Sequence, residues 1–470
     1  LFPSAGSAYY MKRQKQEVRK MKKVLAILLA MAMLFSFAAC GGEEASTPSA
    51  PADDSAASGD AAPAEEEKPA DGSITLTVMM PLGQWTDNFD VLIEKYMATH
   101  PEIKAIDATF PSSDVYNDLL KAALASGELP DIMGSSYGAG MAEWWPYWAD
   151  LSTDCEAYGL LTEDQVAIGQ CDDYGMLIMP IYVEGTGILY NMRLLGEAGW
   201  DRVPETRDEL AQLCEDLQAK GIQPFLHQWA ETYLNLFNWV GPTWLGNKEG
   251  AGMDFLDKLL AGEDMDLVND PDLNDQLDYY DLAIKYAQPN AIATDKWTAR
   301  NAFFLEEGAM LTGEGSWEYP NIMDVNPKLM DYIKQSYLPI SNDKEKNHMQ
   351  LQTIAASVNK DSKNLKAAKE FLSYIVSSED ARVWHQEQMG SPTSITSLEI
   401  SDKLPCIAQD VVQMMKDGKG SESMYEFMPS ILSVDMEELW SLYVGQQISR
   451  EDFCKRYQEI FTNYANGYYD

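Results

Sequence analysis

From Ser73 to Met80 the chain reads SITLTVMM, apolar and polar residues in alternation, the period of a strand with one buried face. The period then lengthens. Phe89, Leu92, Ile93 and Tyr96 fall on one side of a helix predicted over 88–99, which Pro101 stops. Alternation returns over 103–110. Ser113 or Asp114 can cap a second helix, with Leu119, Leu120, Ala123 and Leu124 facing inward and Gly127 ending it. A short strand, Asp131-Ile-Met, follows. Strand, helix, strand, helix, strand is the rhythm of an α/β fold built on a doubly wound parallel sheet.

Further along, 178–181 and 187–191 read as strands, and Thr206-Arg-Asp-Glu209 has the spacing of a capping box. The helix it opens carries Leu210, Leu213, Cys214 and Leu217 on one stripe. A helix is predicted over 299–307 with Gly308 as its cap, and strands over 310–312, 336–340 and 354–358. After Asn364 a strongly amphipathic helix places Leu365, Ala368, Phe371, Leu372 and Ile375 together. From about 405 onward the pattern is mostly helical. No internal repeat stands out.

The first part of the chain has a different composition. Residues 1–20 turn basic before Met21 and read as an upstream extension. Lys22-Lys23 then lead into VLAILLAMAMLFSFAA, sixteen apolar or small residues ending at Cys40. A positive start, a short apolar stretch and small residues make an export signal over 21–39, shorter than the roughly 20 residues a membrane span needs. Phe37-Ala38-Ala39-Cys40 resembles a bacterial lipobox with Phe in place of the usual leucine, which implies lipidation of Cys40 and a tether outside the cytoplasmic membrane. Residues 40–72 are rich in Ala, Pro, Ser and acids, with almost nothing to bury, so they are expected to be a disordered, self-repelling spacer.

About 400 residues remain, too many for one core and enough for two lobes. The net charge of −39 argues against nucleic acid or anionic lipid as a partner, since both would be repelled. Beyond Cys40 there are Cys155, Cys171, Cys214, Cys406 and Cys454, an odd number with no C-x-x-C, so neither a disulfide framework nor a zinc site is signalled.

Three stretches offer chemistry. Gly134-Ser135-Ser136-Tyr137-Gly138 matches the G-x-S-x-G turn of serine hydrolases, but Tyr-Gly-Ala-Gly is a poor start for the helix that should follow. His227, His348 and His385 show no motif that would pair them with Ser136. Asp270–Asp281 spaces acids like a calcium loop but has Asp275 where glycine is needed and Asp281 where a bidentate Glu is expected. Acids opening a helix explain it more simply. Gly241-Pro-Thr-Trp-Leu-Gly-Asn-Lys248 misses the phosphate-binding loop, because Asn follows the second glycine. No cofactor or metal is called for.

Four stretches, in one order across about 125–392, resemble the extracellular solute-binding proteins of ABC importers, the family that includes maltose-binding protein. They are Ala125-Ser-Gly-Glu-Leu-Pro-Asp-Ile132; residues 180–225, from PIYVEGTGILYN to GIQPF; Phe303–Met310 through Gly315-Ser-Trp317; and Ala356–Asn364 with the helix after it, ending near Gly390-Ser-Pro392. The resemblance implies the two-lobed periplasmic-binding-protein-like fold of type II, each lobe a mostly parallel sheet flanked by helices, with a ligand cleft between. Lobe I would be 73–184 plus 355–395, lobe II 186–352 plus 400–470.

The resemblance also implies roles for residues. Ser135, Ser136 and Tyr137 would touch a sugar from the loop after the third strand. Glu184 would accept hydroxyl hydrogen bonds, with Tyr182 on the same side of its strand, and Trp317 would stack on a sugar ring. Gln84-Trp85 and Trp229 sit in loops that would border the cleft, whereas Trp144, Trp145 and Trp148 would pack in an outer helix. The expected protein is a non-catalytic, monomeric, lipid-anchored carrier that hands a carbohydrate to a permease whose ATPase is on another chain. A secreted glycoside hydrolase or lyase with Glu184 and Glu314 as its carboxylate pair is one alternative. The same fold with a non-sugar solute is another.

Overall fold

The computed structural model describes residues 73–81, 89–111, 113–135, 139–232, 251–422 and 428–469. The leader, Cys40 and the spacer lie outside this set, as do Gln84, Trp85, Ser136, Tyr137 and the 241–248 stretch. Nine strands are present among the described residues: β1 Ile74–Met79, β2 Ile103–Thr109, β3 Ile132–Ser135, β4 Met179–Asn191, β5 Phe225–Leu226, β6 Met310–Gly315, β7 Ile333–Ser336, β8 Met349–Val358 and β9 Gly420–Glu422. They form one mixed sheet in the order β2-β1-β3-β8-β4-β6-β5, with β7 on β4 and β9 on β8. β1 pairs in parallel with β2 and β3, as βαβ connections require. β8 then runs antiparallel to β3 and to β4, and β4 antiparallel to β6 and β7.

The hydrophobic interior is divided. One core gathers Leu76, Val78, Phe89, Leu92, Tyr96, Ile181, Tyr182, Ile354, Phe371, Leu372 and Ile375. A second gathers Ile188, Tyr190, Leu210, Leu213, Cys214, Leu217, Met310, Leu338, Trp440, Phe453 and Tyr457. Among the described residues the two share no side chain. They are joined through β4 and β8. β4 gives Met179, Ile181 and Tyr182 to the first core and Ile188 and Tyr190 to the second. Between them Val183 packs with Tyr337, Met349, Leu351 and Val411 in a small cluster of its own. Opposite residues across this junction are Glu184 and Gln352, Gly185 and Leu351, and Thr186 and Gln350.

Several elements follow the hydrophobic pattern closely. The helix Arg207–Ala219 buries Leu210, Leu213, Cys214 and Leu217, and Leu365–Ser377 buries Ala368, Phe371, Leu372 and Ile375. Asp270 caps the helix Pro271–Lys285 by accepting from the backbone N–H groups of Asp272 and Leu273, at 3.1 and 2.7 Å, so the acidic run is a helix start. Among the described residues no group of acids, histidines or cysteines is arranged to hold a metal, and no helix is long and apolar enough to cross a membrane. Trp144 and Trp145 on the 3-10 helix Ala139–Tyr147, and Trp148 just after it, are buried in one cluster.

Other details differ from the pattern. The two strands read at 178–181 and 187–191 are one thirteen-residue strand, because the intervening Val-Glu-Gly-Thr pairs continuously with β8. The strand expected at 336–340 ends at Ser336; Leu338 and Ile340 enter the second core from irregular backbone. Leu119 is 44% exposed, since the inward stripe of Ser113–Ser126 runs through Tyr116 and Leu120. The helix Lys296–Phe304 ends earlier than expected, and Glu306 at φ 64°, not Gly308, takes the left-handed turn. Only half of the capping box forms: Thr206 accepts from Glu209 N, while the Glu209 carboxylate takes Glu205 N and the Arg202 guanidinium.

Phe371 and Phe453 are fully buried, one in each core. Phe371→Ala and Phe453→Ala should each cost about 3–5 kcal/mol of unfolding free energy, read from urea denaturation.

Candidate functional site

The junction strands bring polar side chains into a band between the cores. Glu184 on β4 is 5% exposed and faces Gln352 across the ladder. Thr186 faces Gly315 at the end of β6, and Gly187 faces Glu314. Ser135 closes β3 opposite Ala355 on β8, three residues along from Gln352, and its Oγ lies 3.0 Å from Ser357 Oγ in a hydrogen bond. Ser135, Glu184 and the β6 end that precedes Trp317 therefore fall on three strands within the run β3-β8-β4-β6.

Gly315 makes the β6 end possible. A Cβ there would lie 2.2 Å from the Gly185 carbonyl oxygen and 2.4 Å from Cζ3 of Trp317, so the indole rests directly over the glycine backbone. Trp317 is the middle residue of the turn Ser316–Glu318 and is half-buried. Its Nε1–H donates to Glu314 Oε2 at 2.7 Å. The same carboxylate is gripped by Arg300 from the helix Lys296–Phe304, Nε to Oε1 at 2.7 Å and Nη2 to Oε2 at 3.0 Å. Such a bidentate pair is among the strongest and most directional contacts available to a buried charge.

Arg300 serves a second acid. Its Nη2 lies 3.0 Å from Glu318 Oε1, an ion-pair distance without hydrogen-bond alignment, while Asn321 Nδ2 donates to Glu318 Oε2 at 3.1 Å. Both glutamates have no solvent exposure, and the guanidinium lies 5.2 Å over the ring of Trp297. One cation and two buried acids cannot all be charged at low cost. Burial first, then the charge of Glu314, push the Glu318 carboxyl up to about 8 against the pull of Arg300. Glu318 is thus held neutral near neutral pH.

Two expected site residues lie elsewhere. Tyr182 is 1% exposed; its ring packs 5.4 Å from His385 in the first core, because that face of β4 is the core face. Trp229 is 7% exposed and stacks on His227 at 4.1 Å inside the second core. His227 is buried, Nδ1 lies 2.6 Å from Thr312 Oγ1, and burial pushes the imidazole down to about 3, so it stays neutral. His348 is hydrogen-bonded to Ser421 and the Glu345 carbonyl, and His385 to the Ile375 carbonyl. Arg300 and Glu318 carry no sequence signal: their link to Trp317 runs across a helix, a strand and a turn.

Residues 83–382 match the family described as bacterial extracellular solute-binding protein, which is more than half of the chain. The chain belongs to that family. This solute-binding protein is 24% identical over 332 residues to the multiple sugar-binding protein of Streptococcus mutans serotype c, covering 67% of this chain and 73% of that one. Its fold is shared by the solute-binding protein RafE in complex with raffinose, at TM-score 0.71 and 19% identity, covering 84% of this chain and all of that one. A chitin oligosaccharide binding protein superposes at TM-score 0.69 with 17% identity, over 84% of this chain and all of that one. A sugar transporter from Bacillus licheniformis in complex with stachyose does so at 0.64 and 17%, over 83% and 100%. The architecture is the two-lobed, type II α/β fold of solute-binding proteins, and the divided core is its physical basis.

A carboxyl that holds its proton in the folded chain but loses it in the unfolded one makes folding take up a proton. For Glu318 stability should therefore be greatest in acid, fall as pH rises from the ordinary carboxylate range to about 8, and level above it. Glu318→Gln removes this contribution, so its melting temperature should change less than that of the parent between about pH 5 and about pH 8. Equal slopes would mean that Glu318 is not protonated.

Proposed function

We propose that this solute-binding protein captures a sugar or oligosaccharide outside the cell as the substrate-binding lipoprotein of an ABC importer. The observation that carries the reading is the seating of Glu184 on β4 and of Trp317 just past the end of the adjacent β6, beside the junction of the two cores. A carboxylate suits sugar hydroxyls, and an indole face suits the C–H surface of a pyranose. Relatives of like fold are named for raffinose, stachyose and chitin oligosaccharides, which supports the same ligand class here.

In this reading lobe I is 73–184 plus 355–395 and lobe II is 186–352 plus 400–470. The ligand sits between them with Ser135, Glu184 and Trp317 in contact, and Gln84, Trp85, Ser136 and Tyr137 complete the rim. Tyr182 is left out because it fills a core, and Trp229 serves by holding its loop in the second core. Ligand touches both lobes only when they close, so affinity and closure are one free-energy difference. Micromolar binding corresponds to about −8 kcal/mol. Cys40 anchors the protein by its acyl chains, the 40–72 spacer lets it range near the membrane, and the closed monomer docks on a permease driven by an ATPase on another chain.

The hydrolase alternative needs Glu184 and Glu314 as a working pair. Glu314 has both oxygens committed to Arg300 and Trp317 and no solvent exposure, which suits a structural anion and not an acid or base in turnover.

Thermal shift against raffinose, stachyose and chitin oligosaccharides tests the proposal: a binding sugar raises the melting temperature with its concentration. Trp317→Ala should weaken that sugar about tenfold, the worth of about 1.5 kcal/mol of ring-face contact, in calorimetric titration. Release of reducing ends on prolonged incubation would overturn the binding assignment.

A further inference from the structure

We propose that Arg300, Glu314 and Glu318 form a positioning clamp that holds the Trp317 indole by its N–H, so that the ring offers a ligand its face and never its hydrogen-bond donor. The proposal rests on the sugar-binding reading only for what the ring meets; the clamp itself rests on geometry.

An indole can recognise a ligand in two ways, through its flat face and through Nε1–H. In Trp317 the second is spent on Glu314 Oε2 at 2.7 Å. Glu314 cannot swing to release it, because Arg300 holds both of its oxygens, at 2.7 and 3.0 Å, and the carboxylate is wholly buried. Arg300 is fixed in turn by the second acid, Glu318, 3.0 Å away, which is itself tied to Asn321. From the other side Gly315 presents bare backbone under the ring, where a Cβ would meet Cζ3 at 2.4 Å. Rotation about the Trp317 side chain would break the N–H bond or lift the ring from this seat. A pre-set ring loses little rotamer freedom when a ligand stacks on it, and the preference is for ligands with a flat C–H face over those that would accept from an indole edge.

The second acid has a defined part. Arg300 with Glu314 alone would be a neutral pair; Glu318 adds a third contact, 3.0 Å from Nη2, without a second full negative charge, since burial keeps its carboxyl neutral. Arg300, Glu314 and Glu318 are therefore positioning residues, and none of them need touch the ligand.

The test uses the full chain. The chain has twelve tryptophans, so the Trp317 signal is taken as the difference between each protein and its Trp317→Phe counterpart. The double variant Arg300→Met, Glu314→Leu removes the clamp without leaving a lone buried charge. Acrylamide quenching of Trp317, read without sugar, should rise toward that of a mobile indole, and raffinose affinity should fall about tenfold with Trp317 still present. Glu314→Gln keeps an acceptor for the indole N–H and should retain most of the protection. A folded double variant with parental quenching would overturn the clamp. If that variant does not fold, deuterium exchange of the Trp317 Nε1–H in the parent decides: slow exchange supports the clamp, and exchange at the rate of a free indole overturns it. A parent that ignores raffinose counts against the sugar reading for that ligand, while quenching and exchange still judge the clamp.

Discussion

The antiparallel pairing of β4 with β8 is the constraint on which the molecule depends. β4 starts in one hydrophobic core and continues into the other, and β8 runs from the small cluster between them into the first. Backbone hydrogen bonds along the ladder satisfy the chain where it passes between the cores, so two separately packed bodies can be joined without exposing unpaired peptide groups. Between them Val183, Tyr337, Met349, Leu351 and Val411 pack as a small cluster of their own. A junction where the sheet passes from one core to the other is where relative movement of two packed bodies costs least.

The same junction explains why polar groups are buried there. Residues that alternate out of two cores have nowhere to point except the band between them, and Glu184, Thr186, Gln335 and Gln350 are all found in it. Each must find partners or cost stability. Gln335 donates to the Gly185 carbonyl, and Gln335 N and Lys334 are both bound by Asp410 from the helix Cys406–Lys416, which ties that helix to the crossing strands. The Arg300 network does the same for the β6 end. Charges buried in this way add little net stability, and their gain is geometric: they hold side chains beside the junction in one arrangement.

Much of this was legible along the chain. Helices such as 207–219 and 365–377 have a core stripe so regular that their buried faces could be named residue by residue, because helical period and burial coincide there. The first three strands and their helices were legible for the same reason. The Asp270 run was legible as a helix start because capping is a local act between a side chain and the next two or three N–H groups. Family membership was legible in short motifs whose glycines, prolines and aromatics are demanded by turns, which are local too.

What the chain alone could not decide concerns partners far apart in sequence. Alternation predicts that Tyr182 and Glu184 share a side of a strand, yet it cannot say that the first core claims Tyr182. Trp229 and Trp317 are both tryptophans that come two or three residues after a strand ends, but one is stacked on His227 in a core while the other is held half-open by Glu314. Leu119 and Leu120 are equal in hydropathy, and only the neighbour packed against their helix separates them. Periodicity and turn chemistry act over a few residues and so determined the elements and the family. The split of one sheet between two cores, and the placing of Arg300 behind Trp317, depend on contacts that exist only once distant segments have packed.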